Sequence, residues 1–182
     1  MKRLLLLLTL ISSFSFGQTP GGGVTDIDGN TYETVIIGSQ EWMAENLRTT
    51  KYSNGDVIPN LTDNTLWSND TIGAWCHFNN DNQYENPYGK LYNYFVAVDE
   101  RNVCPTGWRI PAMSDYSILS NCLGGNSLSG NHLKSIDYWP ANIEVTNSSG
   151  YTALPAGSRF GSGTFNVNNF LGRKFPITIK IS

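Results

Sequence analysis

The segment Cys104-Pro105-Thr106-Gly107-Trp108-Arg109-Ile110-Pro111 combines two prolines, a glycine and a tryptophan in a short stretch of chain. Each proline favours extended backbone in the residue that precedes it, and Gly107 permits a tight bend. The segment therefore predicts a turn, a short extended piece around a buried Trp108, and a second turn at Pro111.

A helix is predicted directly after Pro111. The apolar residues that follow recur at spacings of three and four, as on one face of a helix: Met113, Tyr116, Leu119 and Leu123. Ser114 and Asp115 suit the first turn, because side-chain oxygens and negative charge meet free backbone N–H groups there. Gly124-Gly125 predicts the end of the helix. No nucleophile–base pair or metal-ligand spacing occurs here, so the region predicts a packing nucleus.

The start of the chain has the layout of a secretory signal peptide. Met1-Lys2-Arg3 is followed by an apolar run over 4–11 and by small residues up to Gly17. We expect cleavage near Gly17, which makes 1–17 the signal peptide and 18–23 a flexible lead, and we expect a secreted or cell-surface protein. The apolar run is too short for a permanent anchor, and no transmembrane segment is predicted in the mature chain.

Length and charge limit the function classes. The chain has 182 residues, too few for two ordinary domains. Of its 12 basic residues, Lys2 and Arg3 leave with the signal, so that 10 remain against 15 acidic ones and the formal charge is −5. This balance argues against nucleic acid or an anionic membrane as the main partner, because both need clustered positive charge.

Short strands are predicted along the rest of the chain. Asp28-Gly29 predicts the turn of a hairpin across 24–37, and the acidic residues around it fail the spacing of a calcium loop. Gly161-Ser162-Gly163 predicts a second hairpin turn. Further strand candidates are rich in aromatic or alternating apolar residues and lie at 40–47, 74–78, 84–98, 151–159, 164–167 and 177–181.

The three cysteines are Cys76, Cys104 and Cys122. In an oxidising compartment two of them could pair and one would be left over. Cys122 falls on the predicted helix beside its apolar face, where a buried thiol is expected. Cys76 and Cys104 are therefore the candidate disulfide pair.

Four further motifs accompany the segment 104–111: Trp42-Met43-Ala44-Glu45-Asn46-Leu47, Tyr88-Gly89-Lys90-Leu91-Tyr92-Asn93-Tyr94, Leu123-Gly124-Gly125 and Gly150-Tyr151-Thr152-Ala153-Leu154-Pro155. In order and spacing they resemble the Fibrobacter succinogenes major paralogous domain, over residues 24–165. That family is similar to C-type lectin-like domains. The resemblance implies an α+β fold with two helices, short antiparallel strands and long loops, on secreted or surface proteins of Bacteroidetes-type bacteria. It implies no defined activity.

The resemblance ends after Phe165. Family members usually continue through a Trp-Trp-Ser-Ser-like strand that helps to close the domain, whereas 166–182 contains no tryptophan. We therefore predict that the C-terminal strands of the fold are missing and that 166–182 is an atypical tail of a truncated or frame-shifted product. The strand at 177–181 would then be unpaired.

One stretch offers the chemistry of sugar recognition, which needs apolar stacking surfaces beside amides and carboxylates. Its candidate ligand-binding residues are Trp75, Asn79, Asp81, Tyr84, Glu85 and Asn86. Glu85-Asn86-Pro87 contains the residue types of a lectin calcium-and-sugar motif, but in the wrong order and ahead of the central helix. Calcium is left open as a cofactor without support from spacing, and no metal site or other cofactor is predicted.

No catalytic residue is predicted. His77 and His132 have no neighbour at a triad spacing. The acids available to a paired-carboxylate hydrolase all fall in loop-like segments, where a solvated surface is the ordinary interpretation: Asp81, Glu85, Asp99 and Glu100.

The favoured hypothesis is a secreted, non-catalytic surface module that binds a polysaccharide or a surface protein through its loops. The alternatives are a truncated or degenerate paralogue with a purely structural role, and a carboxylate-dependent hydrolase. The identity of the ligand and the oligomeric state are left open by the sequence.

Overall fold

A computed structural model describes residues 18–141, 143–166 and 179–181. These residues form an α+β fold of short antiparallel strands and short helices. The strands are β1 Thr19–Pro20, β2 Val24–Thr25, β3 Thr31–Tyr32, β4 Thr34–Ile37, β5 Gln40–Met43, β6 Trp75–Cys76, β7 Leu91–Tyr92, β8 Ser158–Arg159, β9 Phe165–Asn166 and β10 Ile179–Ile181. The helices are α1 Asn64–Asn69, α2 Glu85–Tyr88, α3 Tyr94–Val98, α4 Met113–Cys122 and α5 Ser129–Leu133.

The largest sheet has four strands in the order β1-β4-β5-β10, and its three pairings are all antiparallel. β4 and β5 form a hairpin at Gly38, whose φ of 62° suits a glycine. β1 lies within the segment expected to be a flexible lead, yet Thr19 pairs with Ile36.

The prediction that the strand at 177–181 is unpaired is wrong for its described residues, 179–181. β10 lies antiparallel to β5, with Ile179 opposite Trp42 and Ile181 opposite Gln40. Because β5 is hydrogen-bonded to β4 on one side and to β10 on the other, it is an inner strand of the sheet. The remainder of the predicted tail, 167–178 and Ser182, lies outside the described residues, as do the predicted signal peptide and its cleavage site at Gly17.

Two of the two-stranded sheets confirm predicted hairpin turns. β2 pairs with β3 around Asp28-Gly29, where Gly29 has a φ of 86°, but β4 leaves this hairpin and joins the large sheet. β8 pairs with β9 around the glycines at 161 and 163. The third small sheet pairs β6 with β7.

Three clusters of buried side chains form the core. The first surrounds Trp108, which is 6 % exposed, and includes Cys104 and Met43. The second joins the large sheet to α4 through Trp42, Leu119 and Leu123. The third lies around β6 and β7 and contains Trp67, Ala74, Cys76 and Leu91.

The helix predicted after Pro111 is confirmed as α4, and Gly124 and Gly125 follow it with φ of 86° and 90°. The assignment of Met113 to the buried face was wrong, because this side chain is 80 % exposed. Asp115 points inward instead and is 3 % exposed. Two residues along a helix correspond to a rotation of about 200°, so an inward Asp115 places Met113 on the opposite side.

The expectation of two helices was also incomplete. Four single-turn or slightly longer helices, α1, α2, α3 and α5, accompany α4 in the described part of the chain. α1 begins at an Asp63 cap, whose carboxylate accepts the N–H of Leu66 at 2.8 Å. Asn93 caps α3 in the same way, accepting from Val96 at 3.2 Å. These caps hold helices that are too short to be stable alone.

Candidate functional site

The residues between β6 and β7 carry all the predicted ligand-binding side chains except Trp75, which lies on β6 itself. The two strands run antiparallel, with Cys76 opposite Leu91, so the intervening connection is anchored at both ends in the core. It contains two 3-10 turns, Phe78–Asn80 and Asn82–Tyr84, followed by α2. The structure therefore places the predicted residues in one surface connection, but in three different environments.

The first environment is an ion-pair cluster inside the connection. The Oε2 atom of Glu85 lies 2.6 Å from His77 Nε2 and 2.8 Å from Lys90 Nζ. Burial raises the pKa of Glu85, but the hydrogen bonds from Lys90 and His77 outweigh it, and the pKa lies below its ordinary value. Glu85 is thus held as an ionised carboxylate with internal partners.

Trp75 belongs to the same cluster. Its indole N–H donates to the Ile58 carbonyl at 2.9 Å, and its ring lies 4.8 Å from Lys90 Nζ and 5.2 Å from the His77 ring. The side chain is half-buried. Trp75 therefore lies at the start of the connection and packs against Lys90 and His77 of the charged cluster.

The second environment is the exposed polar surface. Asp81 caps a turn, accepting from the backbone N–H of Gln83 at 3.0 Å and from its side-chain amide, and these hydrogen bonds lower the pKa of Asp81. Asn79 is exposed, with a left-handed φ of 53°, and Asn86 is exposed as well. Both amides are accessible to solvent on the same connection.

The third environment is a row of aromatic rings that contains Tyr84. Its ring meets Phe78 edge-on at a centroid distance of 5.3 Å and lies 6.4 Å from Tyr88. Tyr88 in turn meets Tyr138 edge-on at 6.0 Å. Together with the backbone after Leu154, these rings line a surface groove of about 210 Å³, here called the aromatic groove: Phe78, Tyr84, Tyr88, Tyr138, Pro155, Ala156 and Gly157.

Glycine is required at 157 for this groove to form. Gly157 has a φ of 68°, and a Cβ atom built on it would lie 2.5 Å from Phe78 Cε2. The absence of a side chain allows the Phe78 ring to approach the backbone and to pack edge-on against Phe165 at 5.6 Å.

The three phenol groups of the groove are chemically available. The hydroxyls of Tyr84, Tyr88 and Tyr138 make no hydrogen bond to any other residue in the described ranges. Burial, followed by the neighbouring Tyr138 and Tyr84, raises the pKa of Tyr88. The Tyr88 hydroxyl is therefore neutral at physiological pH and can both donate and accept hydrogen bonds.

A second, larger cavity adjoins the groove. Its volume is about 490 Å³, and it shares Tyr88 and Ala156 with the aromatic groove. We call it the inner cavity; its other lining residues come mainly from β7, α3 and the start of α4 and are Asn46, Lys90, Leu91, Tyr92, Asn93, Val96, Ala97, Val103, Ile110, Met113 and Tyr116.

Sequence reasoning identified Tyr84 but missed Phe78, Tyr88 and Tyr138 as members of the groove. Tyr88 stands in one of the quoted motifs and in the strand candidate at 84–98. Tyr138 is 43 % exposed and lies far along the chain from the connection. The sequence offers no signal for Tyr138 beyond the adjacent Trp139.

The candidate disulfide does not form in the structure. Cys76 and Cys104 are both buried, but they lie in different core clusters and are not joined to each other. Burial raises the pKa of the Cys104 thiol to about 12. A deeply buried thiol of this kind is unreactive, because the thiolate is the reactive form.

The described ranges contain no group of three or more His, Cys, Asp or Glu side chains arranged to hold a metal ion. Glu85, the carboxylate of the Glu85-Asn86-Pro87 stretch, is engaged by His77 and Lys90 as described above.

Comparisons with known proteins place the chain in a family without assigning it an activity. Searches of curated proteins and of solved structures found no match. Among the helices of the described ranges, none has both the length and the apolar character needed to cross a bilayer. The family model of the Fibrobacter succinogenes major domain matches residues 35–174, which include all of the β4–β5 hairpin except Thr34, the aromatic groove and α4. The chain therefore belongs to the Fibrobacter succinogenes major domain family.

Proposed function

We propose that this chain is a secreted, non-catalytic module that binds a neutral glycan in the aromatic groove. The observation that carries the proposal is the row of contacting rings whose three phenol hydroxyls, on Tyr84, Tyr88 and Tyr138, have no hydrogen-bond partner among the described residues. The C-type lectin-like form of the α+β fold and export through residues 1–17 are parts of the same proposal.

The chemistry of the groove suits a sugar. Aromatic rings offer apolar surface to the C–H faces of a pyranose, and phenol hydroxyls exchange hydrogen bonds with sugar hydroxyls. The exposed amides of Asn79 and Asn86 lie on the same connection and add donors and acceptors at its surface. These groups recognise hydroxyls and do not require a charged ligand.

Charge favours a neutral ligand. Among the described residues, Lys90 is the only basic one that lines the aromatic groove or the inner cavity. Its charge is balanced by Glu85, whose Oε2 atom lies 2.8 Å from Lys90 Nζ. The mature chain carries more acidic than basic residues. An anionic polysaccharide would therefore meet no unpaired cation at the groove and would be repelled by the protein as a whole.

Three of the four carboxylates considered for a hydrolase support a non-catalytic role. A glycosidase needs a general acid whose pKa is raised. The pKa of Glu85 is instead held below its ordinary value by hydrogen bonds from Lys90 and His77. Hydrogen bonds from Gln83 lower the pKa of Asp81, and those from Arg101 lower the pKa of Asp99. Ionised carboxylates with internal partners are poorly suited to protonate a leaving group.

The proposal is tested by binding of the mature protein to an array of neutral polysaccharides and oligosaccharides. We expect retention on at least one of them, and an affinity at least tenfold lower for Tyr84→Ala and Tyr138→Ala. Tyr94→Ala is the matched control, since Tyr94 is 72 % exposed and lines neither cavity. No retention of the wild-type protein, or equal loss in the Tyr94→Ala control, would overturn the proposal.

A further inference from the structure

The inner cavity lies beside the aromatic groove. Tyr88 and Ala156 line both spaces, so a ligand that lies on the groove rings is next to the cavity. The walls of the cavity are mostly apolar and come from Leu91 on β7 and Val96 on α3, among others. Ala97 and Met113 line it as well and are both exposed, which places its mouth at the surface.

Lys90 is one of the polar residues that line this mostly apolar cavity, together with Asn46 and Asn93. Its side chain is 5 % exposed, and its ammonium group makes one ion pair with Glu85 and lies over the Trp75 ring. An ammonium group has three N–H donors. Glu85 takes one of these donors, and because Lys90 lines the cavity we expect a remaining donor to reach a ligand there. An uncharged carbonyl oxygen suits this donor, since Glu85 already balances the charge of Lys90.

We infer that the inner cavity binds an acyl substituent, that is, a carbonyl attached to an apolar body, carried by the glycan that the groove holds. This inference rests on the proposed function and names its ligand more closely. A volume of about 490 Å³ lies in the range of sites that enclose drug-sized groups. The cavity is thus better matched to an aromatic acyl group than to an acetyl group.

The test uses methyl cinnamate, an uncharged aromatic ester without a sugar, titrated into the mature protein by isothermal calorimetry. We expect saturable binding by the wild type and binding at least tenfold weaker in Ala97→Trp and in Met113→Trp, which would fill the mouth from two different elements. Cinnamyl methyl ether lacks only the carbonyl and should bind about fivefold more weakly than the ester, because it offers Lys90 a poorer acceptor.

Two controls separate the cavity from the groove. Ser127→Trp adds an indole at an exposed position outside both spaces and should leave binding of methyl cinnamate unchanged. Tyr138→Ala should weaken binding of methyl cinnamate much less than it weakens glycan binding, since Tyr138 lines the groove and not the cavity. Thermal melting of each variant checks that it is folded.

The outcomes distinguish the two proposals. No saturable binding of methyl cinnamate by the wild type, or wild-type affinity in both Ala97→Trp and Met113→Trp, would overturn the acyl site whatever the glycan array shows. Equal affinity for the ester and the ether would overturn the assignment of the carbonyl to Lys90. If the wild type binds methyl cinnamate but is retained on no glycan of the array, the inner cavity remains an acyl site and the proposal of glycan binding in the groove is overturned.

Discussion

Arg109 and Asp115 form a bidentate ion pair across the turn that leads from Trp108 into α4. The guanidinium donates to the two carboxylate oxygens at 2.8 and 2.9 Å, and the backbone N–H of Ala112 donates to Asp115 Oδ2 at 2.6 Å. Asp115 is 3 % exposed, and the hydrogen bond from Arg109 lowers its pKa. One buried carboxylate thus joins the proline-flanked turn to the first turn of the helix.

Replacing Asp115 should destabilise the fold. Asp115→Asn keeps the size of the side chain but loses the charge-assisted pair, and we expect the free energy of unfolding to fall by about 2 kcal/mol. Urea denaturation followed by tryptophan fluorescence measures this change. Asp137→Asn is the control, because Asp137 is exposed and should give a change near zero. Equal stability of the two variants would contradict a structural role for the Arg109–Asp115 pair.

Asp28 should make stability depend on pH in acid. Burial raises its pKa, but Lys51 at 2.8 Å and the hydrogen bonds from Thr50 outweigh this and lower the pKa to about 2 from an ordinary value of 3.8. Because the folded pKa is the lower one, the stabilisation is fully present above the ordinary value and is lost as the pH falls towards 2.

Asp28→Asn tests this dependence. We expect the variant to be less stable than wild type by about 1 kcal/mol at pH 7, allowing for solvent screening around the partly exposed Lys51, and the difference to disappear near pH 2. Denaturant unfolding at several pH values between 7 and 2 measures it. A stability difference that stays constant across this range would show that the charge of Asp28 is not responsible.

Arg159 holds the β8–β9 hairpin against α1. Its guanidinium lies 4.3 Å from the Trp67 ring and 4.9 Å from the Phe165 ring, and it donates to the Leu61 carbonyl at 2.6 Å. Lysine keeps the charge but has neither the planar stacking surface nor the fork of donors. We therefore expect Arg159→Lys to lower the free energy of unfolding by about 1 to 2 kcal/mol.

Thermal melting measures the effect of Arg159→Lys, with Glu100→Gln as the control. Glu100 lies at the exposed surface, where a single charge contributes little to stability. A melting temperature that falls only for Arg159→Lys would support the stacked arrangement. Equal shifts in both variants would contradict it.

Gly157 should be intolerant of a side chain. Gly157→Ala adds a Cβ against Phe78 at a φ of 68°, and we expect a loss of about 1 to 2 kcal/mol in stability together with weaker glycan binding, because Phe78 has to move. Gly161→Ala is the control, since a Cβ there meets nothing within 4 Å. If Gly157→Ala had the same melting temperature and the same glycan affinity as Gly161→Ala, the close approach of Phe78 to Gly157 would matter for neither stability nor binding.

Features that depend on neighbouring residues were predictable. Pro105, Gly107 and Pro111 act on the backbone beside them, so the turn around a buried Trp108 and the helix after it follow from the local sequence. Asp28-Gly29 marked a hairpin for the same reason. In each case the preference is encoded within a few residues of the structure that it produces.

The direction of individual side chains was harder to predict. The spacing of apolar residues placed Met113 on the buried face of α4, but the pair with Arg109 turned Asp115 inward and Met113 outward. An apolar pattern does not show that a carboxylate pairs with an arginine six residues earlier in the chain and is buried by that pair.

The turns, the central helix with the glycines that end it, the family and the connection that holds Tyr84 all follow from the amino-acid sequence alone. Only the tertiary structure brought Tyr138 against Tyr88, placed Ala156 between the aromatic groove and the inner cavity, and engaged Glu85 with Lys90. Turns and helix ends are set by dihedral preferences and hydrogen bonds between near neighbours, whereas a groove arises where segments far apart in sequence pack together, and no local pattern encodes that meeting.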